Sequence, residues 1–332
     1  MPMINFNLPA LGGGAGLRSE HFEEILSTRP PFNWFEIINE NYLDFGGAKR
    51  EELQEISRRY QLIGHGVCLS IGSTDPLDIS YLKRLKPFLD EIKSPWTSDH
   101  LCFTMVDHTN LNDLIPIPFT KESANNCIER LKTTQDILER PFLIENVTRY
   151  MTVSDREMSE SEFITTVLLG ANCGLLLDVT NVYLNSQCHR FDPWKFITSL
   201  PMERIGQVHL AGWSDSRTEI EKFTGDEFSP IIDTHDAPVP PPVWSLFQKL
   251  IEVIGPTSAL VEWDSELPSL NRLLLETQIA NKVMEKHESS DRTMSRGNLE
   301  TVNLGSVNLG SGEQLVSNGG GQDAASVSTI SS

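Results

Sequence analysis

Short apolar segments that end in polar residues recur along the chain. Eight of them begin at Trp34, Ile63, Trp96, Phe142, Gly174, Ile205, Ser229 and Ser258. Several, such as GLLLD and FLIE, are continuous apolar runs rather than an alternation of apolar and polar positions. Continuous runs are typical of strands that are buried on both faces of a parallel sheet. The pattern therefore predicts eight buried strands.

Segments with helical character lie between these strands. Residues 76–92 carry leucines at helical spacings, and further helices are predicted over residues 49–60, 121–138, 159–169, 241–254 and 267–286. Ser159 and Glu162 have the spacing of a capping box at a helix start. Repeated alternation of strand and helix predicts a (β/α)₈ TIM barrel, an α/β fold, with an open doubly wound sheet as the alternative.

The composition changes after residue 286. Gly, Ser, Asn and Thr dominate residues 287–332, aromatic residues vanish, and TVNLGS is followed by SVNLGS. Such a segment buries too little apolar surface to offset the entropy of ordering it. We predict a barrel domain over residues 1–286 and a disordered low-complexity tail over residues 287–332.

Charge and cysteine usage exclude several classes of protein. A net charge of −19 argues against a nucleic-acid partner, because phosphate binding needs clustered Lys and Arg. No run approaches the roughly 18 apolar residues of a membrane span, and no signal peptide is expected. The five cysteines include no C-x-x-C pair, so they form neither a disulfide framework nor a zinc ribbon. We expect a cytoplasmic protein.

Residues 11–16, LGGGAG, form a glycine-rich segment near the N-terminus. The segment follows no predicted strand and lacks the G-K-[ST] ending of a phosphate-binding loop. We interpret it as a turn.

Histidine and acidic side chains concentrate at the predicted strand ends, where a parallel barrel places its active site. They are His65, Asp99, His100, Glu145, Asp178, His209, Asp233, His235, Asp236, Glu262 and Asp264. Four of the eight histidines lie there, although an even distribution would place roughly one or fewer in windows of this size. A solvated acidic surface would explain the net charge, but not this clustering.

Carboxylates that converge at buried strand ends repel one another, and a cation removes that repulsion. Imidazole and carboxylate ligands without thiolate suit iron, manganese or zinc. A single histidine at a strand end is more often a hydrogen-bonded structural residue. Taken together, however, these positions predict a multinuclear metal site.

Seven segments, in order along the chain, match a known family. They are HGVCLSIGS, SDHL, IENVTRY, LLLDVTNVYLN, QVHLAGW, IDTHDAPV and LVEWD. Together they resemble the multinuclear non-heme iron-dependent oxidative enzymes (MNIO), the family of the methanobactin-biosynthesis oxidase. The resemblance covers about residues 8–286 and implies a TIM barrel of the endonuclease-IV and xylose-isomerase type.

The resemblance also implies the ligands of two to three iron ions. The first ion would be held by His65, His100 and Glu145, the second by Glu145, Asp178, His209 and Glu262, and the third by Asp178, Asn181, Asp233 and His235. Related hydrolytic barrels usually have histidine where Asn181 stands. Because an amide is a poorer ligand than imidazole, occupancy of the third position is an open question.

The activity implied by the resemblance is the oxidation of a side chain, most often of cysteine, in a ribosomally synthesised precursor peptide. Mixed Fe(II)/Fe(III) ions would use O₂ as cosubstrate, and a separate peptide-recognition protein would deliver the peptide. Asp236, in IDTHD, is the candidate catalytic residue for proton transfer, or it stabilises a loop. A divalent-metal hydrolase or sugar isomerase/epimerase on the same barrel is the first alternative, and a non-enzymatic binding protein is the second.

Overall fold

Eight parallel strands close into a barrel in a computed structural model of the protein, which describes residues 8–151, 156–214 and 231–302, with side chains through His287. Around the barrel these strands are β1 (Gly12–Gly16), β2 (Trp34–Ile38), β3 (Gln61–Gly66), β4 (Thr97–His100), β7 (Phe142–Glu145), β8 (Gly174–Asp178), β9 (Ile205–Ala211) and β10 (Ser258–Glu262). β1 closes the barrel by pairing with both β2 and β10. The predicted TIM barrel is confirmed.

Helices follow most of the strands. They are α1 (Phe22–Thr28), α2 (Asn39–Tyr42), α3 (Gly47–Ser57), α4 (Ile79–Glu91), α5 (Lys121–Leu138), α6 (Glu160–Ala171), α7 (Val179–His189), α8 (Pro193–Thr198), α9 (Pro241–Ile254) and α10 (Leu270–Val302). Ser159 and Glu162 form the predicted capping box at the start of α6. Among the described residues, no helix is both long and apolar enough to cross a bilayer.

Two of the strand assignments made from sequence were wrong. The described residues of the predicted seventh strand, residues 231–236, contain no strand, and nearby only Ala237 forms an isolated bridge, to Gly212. The remaining barrel strand is β1, which lies in the glycine-rich segment interpreted as a turn. Glycine carries no side chain to mark a buried face, so a strand of this composition has no hydrophobic pattern.

Close packing explains the glycines of β1. A Cβ atom on Gly14 would lie 2.3 Å from Cε2 of Trp34, and one on Gly13 would lie 2.4 Å from the backbone oxygen of Thr277. The Trp34 indole N–H also donates a hydrogen bond to the Gly12 carbonyl at 2.9 Å. The tryptophan and α10 therefore pack directly on the backbone of β1.

The barrel interior consists of an apolar layer beneath a polar layer. The apolar layer is formed by Trp34, Ile63, Trp96, Leu143, Leu176 and Leu260. Side chains two positions apart on a strand point to the same face. The residues two positions beyond Ile63, Leu143, Leu176 and Leu260 are His65, Glu145, Asp178 and Glu262. The strand periodicity that buries the apolar layer therefore brings these four polar side chains together above it.

A hairpin and a long helix were not anticipated. β5 (Cys102–Val106) and β6 (Thr109–Pro116) form a two-stranded antiparallel sheet between β4 and α5. α10 continues to Val302, past the predicted domain boundary at residue 286. Residues 303–332 lie outside the described residues, so the disordered tail stays a prediction.

Candidate metal centre

Three groups of histidine and acidic side chains converge at the carboxyl end of the barrel. They are His65, His100 and Glu145; Glu145, Asp178, His209 and Glu262; and His235, Glu262 and Asp264, each with its ligand atoms within 4.8 Å of one another. Glu145 belongs to the first two groups and Glu262 to the last two. The three groups therefore form one continuous site.

Strand register places these side chains at one level. His100 of β4 is the register partner of Glu145 on β7, and Asp178 of β8 is the partner of His209 on β9. Partners on adjacent parallel strands point to the same side of the sheet. The six residues predicted to hold the first two ions thus meet because each lies at or near the carboxyl end of its barrel strand.

Several atoms of the site are buried without a hydrogen-bond partner among the described residues. They include Nε2 of His65, Oε2 of Glu145, Oδ2 of Asp178 and Nδ1 of His209. Unsatisfied buried polar atoms cost about 1–3 kcal/mol each. Because they converge, one or more cations bound between them would satisfy them together.

Distances around Glu145 also suit a bound cation. Its Oε2 atom lies 3.3 Å from Nε2 of His65 and 3.4 Å from Nε2 of His100. Its Oε1 atom lies 3.2 Å from Nδ1 of His209. Ligand atoms that are each about 2.1 Å from one ion, at about 90° to each other, lie about 3 Å apart. The residues present therefore fit metal ions on both sides of the Glu145 carboxylate.

The charges of the site are balanced by protons in the absence of a cation. Burial raises the pKa of Glu145, but the neighbouring histidines lower it to about 2. For Asp178, burial and the charge of Glu145 raise the pKa well above its usual range. For His209, burial lowers the pKa, but the surrounding carboxylates raise it well above its usual range. A cation that binds here would displace protons.

The third group differs from the predicted third position. His235 Nδ1 lies 3.3 Å from Oε2 of Glu262 and 3.1 Å from Oδ2 of Asp264, and its Nε2 lies 2.7 Å from Oδ1 of Asp233. Asp264 was noted at a strand end but was not among the predicted ligands. The structure thus brings together His235 and Asp233 as expected and adds a further carboxylate.

The Asn181 side chain is held by hydrogen bonds. Its Oδ1 atom accepts from the Thr148 hydroxyl at 2.5 Å, and its Nδ2 atom donates to the Asn146 carbonyl at 3.0 Å. The same hydroxyl lies 2.8 Å from Oδ2 of Asp233. Asn181 therefore lies beside the third group, with both polar atoms of its side chain already engaged.

Asp236 is not among the converging ligands. Its carboxylate accepts hydrogen bonds from the backbone N–H and hydroxyl of Ser214, at 2.6 and 2.5 Å, and from the hydroxyl of Thr234 at 2.6 Å. Burial opposes the effect, but these bonds lower the pKa of Asp236. The geometry is that of a residue that stabilises a loop, and the proposed proton transfer stays a prediction.

A cavity of about 900 Å³ lies over the site. His65, His100, Glu145 and Glu262 contribute to its lining, together with residues of the β5–β6 hairpin such as Asn110. Its volume is near the upper end of the usual range for small-molecule sites. The cavity can therefore admit a substrate group to the ligand atoms.

Sequence reasoning missed Glu36 and Arg18. Glu36, on β2, is 3% exposed, and its Oε1 atom lies 3.0 Å from Nε2 of His209. Arg18 pairs with Asp264 of the third group. The signal for Glu36 was an acidic residue inside the otherwise apolar run WFEII, since a carboxylate is rarely buried without a partner.

The chain is similar to known proteins over most of its length. The family model for RiPP precursor modification enzymes MbnB/TglH/ChrH matches residues 12–285, where RiPP denotes a ribosomally synthesised and post-translationally modified peptide. A UPF0276 protein of Anaeromyxobacter sp. (strain Fw109-5) is 40% identical over 278 residues, which cover 84% of this chain and 94% of that protein. A UPF0276 protein of Caulobacter vibrioides (strain NA1000 / CB15N) is 38% identical over 273 residues, which cover 82% and 94% of the two chains.

Solved structures show the same fold at low identity. A D-tagatose 3-epimerase-like protein is 16% identical with a TM-score of 0.54, over 84% of this chain and 99% of that chain. D-psicose 3-epimerase from Clostridium cellulolyticum H10, solved with D-tagatose, is 10% identical with a TM-score of 0.52, over 84% and 98%. Identity this low supports the barrel alone. The family match extends over the whole described barrel, and the chain belongs to the family of RiPP precursor modification enzymes MbnB/TglH/ChrH.

Proposed function

We propose that the protein is a di- or tri-iron oxidase that uses O₂ to modify a side chain, most often cysteine, of a ribosomally synthesised precursor peptide. The observation that carries the proposal is the set of unpartnered buried atoms around the Glu145 carboxylate. Glu145 has histidines on both of its oxygens, so it can bridge two ions. Family membership supplies the class of substrate.

The lining of the cavity favours a thiol of the substrate, rather than a cysteine of the protein, as a metal ligand. Cys68 lines the cavity, and burial together with Glu40 and Asp99 raises the pKa of its thiol to about 12. A neutral thiol is a poor metal ligand. Cys68 is also not among the side chains whose ligand atoms converge, so a metal position that faces the cavity remains available to a substrate thiolate. All five cysteines are free.

When bound, iron would activate O₂ and accept electrons from the substrate side chain. His65, His100 and Glu145 would hold one ion, and Glu145, Asp178, His209 and Glu262 the other. The β5–β6 hairpin, which forms part of the cavity wall, would orient the peptide. A separate recognition protein would deliver the peptide, as the resemblance implies.

The test is metal content and peptide mass. We would purify the wild type and Glu145→Ala without oxygen from iron-supplemented cells, and measure metals by mass spectrometry. The precursor peptide encoded beside the gene would then be incubated with each protein under air and weighed. We expect about two to three irons per wild-type chain, a large loss in Glu145→Ala, and a peptide mass change with the wild type only.

Glu276→Ala is the matched control. Glu276 is 1% exposed and pairs with Arg272 on α10, so this change also removes a buried carboxylate, but outside the converging ligands. Its iron content should equal that of the wild type. Zinc or manganese in place of iron, with an unchanged peptide, would favour the hydrolase or epimerase alternative. A wild-type protein without bound metal would refute the site.

A further inference from the structure

Two hydrogen bonds and one close contact connect four buried side chains across the barrel interior. The Trp96 indole Nε1 donates to Oε1 of Gln207 at 2.7 Å, and Nε2 of Gln207 donates to Oε2 of Glu36 at 2.5 Å. The other oxygen of Glu36 lies 3.0 Å from Nε2 of His209. Trp96, Gln207 and His209 are fully buried, and Glu36 is 3% exposed.

Hydrogen-bond donors and acceptors can be assigned in order along these side chains. An indole N–H can only donate, so the Gln207 atom that receives it is the amide oxygen. The Gln207 amide nitrogen must then face Glu36, where it donates to a carboxylate oxygen. The second Glu36 oxygen lies 3.0 Å from Nε2 of His209, where a carboxylate, which accepts, favours a ring proton on Nε2.

With a proton held on Nε2, the other ring nitrogen of His209 is the one that can bind a cation. His209 Nδ1 lies 3.2 Å from Oε1 of Glu145 and 3.2 Å from Oε2 of Glu262, and it has no hydrogen-bond partner among the described residues. It is the nitrogen that faces the second group of candidate ligands. A neutral histidine can bind a metal ion through only one nitrogen, and the hydrogen bond made by the other decides which.

We propose that Glu36 is a positioning residue that keeps the proton of His209 on Nε2 and directs the Nδ1 lone pair to the metal, with Trp96 and Gln207 fixing the direction of hydrogen bonding. The inference rests on the metal site of the proposed function, but not on peptide oxidation. A wild-type protein that binds metal yet leaves the peptide unchanged would refute the oxidase and leave this inference standing.

One contact would permit the opposite arrangement. The Gln207 amide nitrogen also lies 3.0 Å from Nε2 of His209, and it could donate there if the ring proton were on Nδ1. That tautomer would place the Nε2 lone pair 3.0 Å from an oxygen of Glu36 and a proton between the metal ligands. Repulsion between the lone pair and the carboxylate disfavours it, and NMR distinguishes the two tautomers.

Exchanging glutamate and glutamine at positions 36 and 207 distinguishes an effect of hydrogen-bond direction from an effect of side-chain packing. In Glu36→Gln, the amide oxygen has to accept from Gln207, so its NH₂ group faces Nε2 of His209 and favours the wrong tautomer. In the double variant Glu36→Gln/Gln207→Glu, the carboxylate introduced at position 207 would accept from both Trp96 and the new amide at position 36. The oxygen of that amide then accepts the His209 proton again. The single variant therefore reverses the direction of hydrogen bonding at His209. The double variant restores that direction with the same set of side-chain atoms.

Zinc serves as the probe, because it is diamagnetic and binds the same donor types. We would measure zinc affinity by competition with a chelator, and read the His209 tautomer from two-bond ¹H–¹⁵N correlations in zinc-loaded, ¹⁵N-histidine-labelled protein. Unfolding of the metal-free proteins reports whether each variant folds. We expect Glu36→Gln to bind zinc about 10- to 100-fold more weakly, the usual effect of losing a group that orients a ligand.

The double variant is expected to recover most of that affinity and to show the proton on Nε2. Glu276→Gln, which neutralises a buried carboxylate outside the site, should bind zinc as the wild type does. Two results would overturn the proposal. One is a zinc affinity of Glu36→Gln within about 2-fold of the control, and the other is a double variant that binds zinc no more tightly than the single one. If the single variant does not fold, the test is the Nε2–H signal of His209 in the double variant. Its presence supports the proposal, and its absence overturns it.

Discussion

At the scale of single residues, hydrogen bonds separate ligands from supporting groups. Atoms of His65, Glu145 and His209 face one another without partners, whereas both polar atoms of the Asn181 amide are engaged. An unpartnered buried atom is costly and is stabilised by a cation, while a satisfied amide gains little from one. This difference leads to two predictions about the rim of the barrel.

The first prediction concerns the third metal position. Asp264 lies in the third group, so Asp264→Ala should lose up to one metal ion per chain. Asn181→Ala should keep the wild-type number, because hydrogen bonds already occupy the amide. Metal content by mass spectrometry on the two iron-loaded variants tests this. Loss of an ion in Asn181→Ala but not in Asp264→Ala would instead support the ligand set that the resemblance implies.

The second prediction concerns Asp236. Its three accepted hydrogen bonds join residue 214 to the 234–236 segment, so Asp236→Ala should loosen this loop without changing metal content. We expect faster amide hydrogen exchange at residues 232–237 and an iron content equal to that of the wild type. Turnover of the precursor peptide then tests the proton-transfer role directly. A rate loss with no change in hydrogen exchange would favour the catalytic role.

At the scale of elements, the barrel strands place the site, and β1 packs closely against Trp34 and α10. A residue of the apolar layer stands two positions before each of four candidate ligands, so the same alternation sets core and site; these ligands are His65, Glu145, Asp178 and Glu262. Helix starts and ends agreed with prediction where local chemistry fixes them, as at the capping box of α6. The glycine strand was missed, because close approach to Trp34 and Thr277 is a tertiary contact.

The third prediction tests this packing. Gly14→Ala should destabilise the protein by about 1–3 kcal/mol or more, because its Cβ would overlap the Trp34 ring within an overpacked interior. Gly46→Ala, where a Cβ meets nothing within 4 Å, should cost less than about 1 kcal/mol. Denaturant unfolding of the two metal-free variants measures the difference. Equal stabilities would show that β1 can move away from Trp34.

At the scale of the whole molecule, protons and metal ions compete for one buried cluster. The pKa of His209 is raised, so without metal its contribution to stability is present below about 6.5 and is lost as the pH rises through the raised pKa. The lowered pKa of Glu145 contributes above its ordinary value near 4.5 and is lost as the pH falls toward about 2. A bound cation replaces the protons that hold the cluster together at lower pH.

The fourth prediction follows from this competition. The thermal stabilisation that metal gives should increase as the pH is raised from about 6 to 9, because the metal-free cluster weakens and fewer protons remain to be displaced. Calorimetry of the zinc-loaded and metal-free proteins across this range measures the difference in Tm. Glu276→Ala should show the same trend as the wild type. A stabilisation that does not depend on pH would argue against protons and metal sharing these ligands.

The sequence by itself determined seven of the eight barrel strands and the polar residues at their ends. Strand burial, helix periodicity and strand-end chemistry are local properties, because a buried strand is apolar along its own length and its last residues face the rim wherever it pairs. His65, His100, Glu145, Asp178, His209 and Glu262 could therefore be found from position alone, and the resemblance arranged them into sets.

Only the tertiary structure decided which distant side chains meet. Glu36 contacts Gln207 and His209 from across the barrel, and Asp264 approaches His235 from another loop. β1 becomes a strand because β2, β10 and α10 surround it. None of these contacts leaves a periodic trace in the chain, since each depends on how the barrel closes. Closure therefore determines which side chains converge, whereas the sequence pattern determines the strands that carry them.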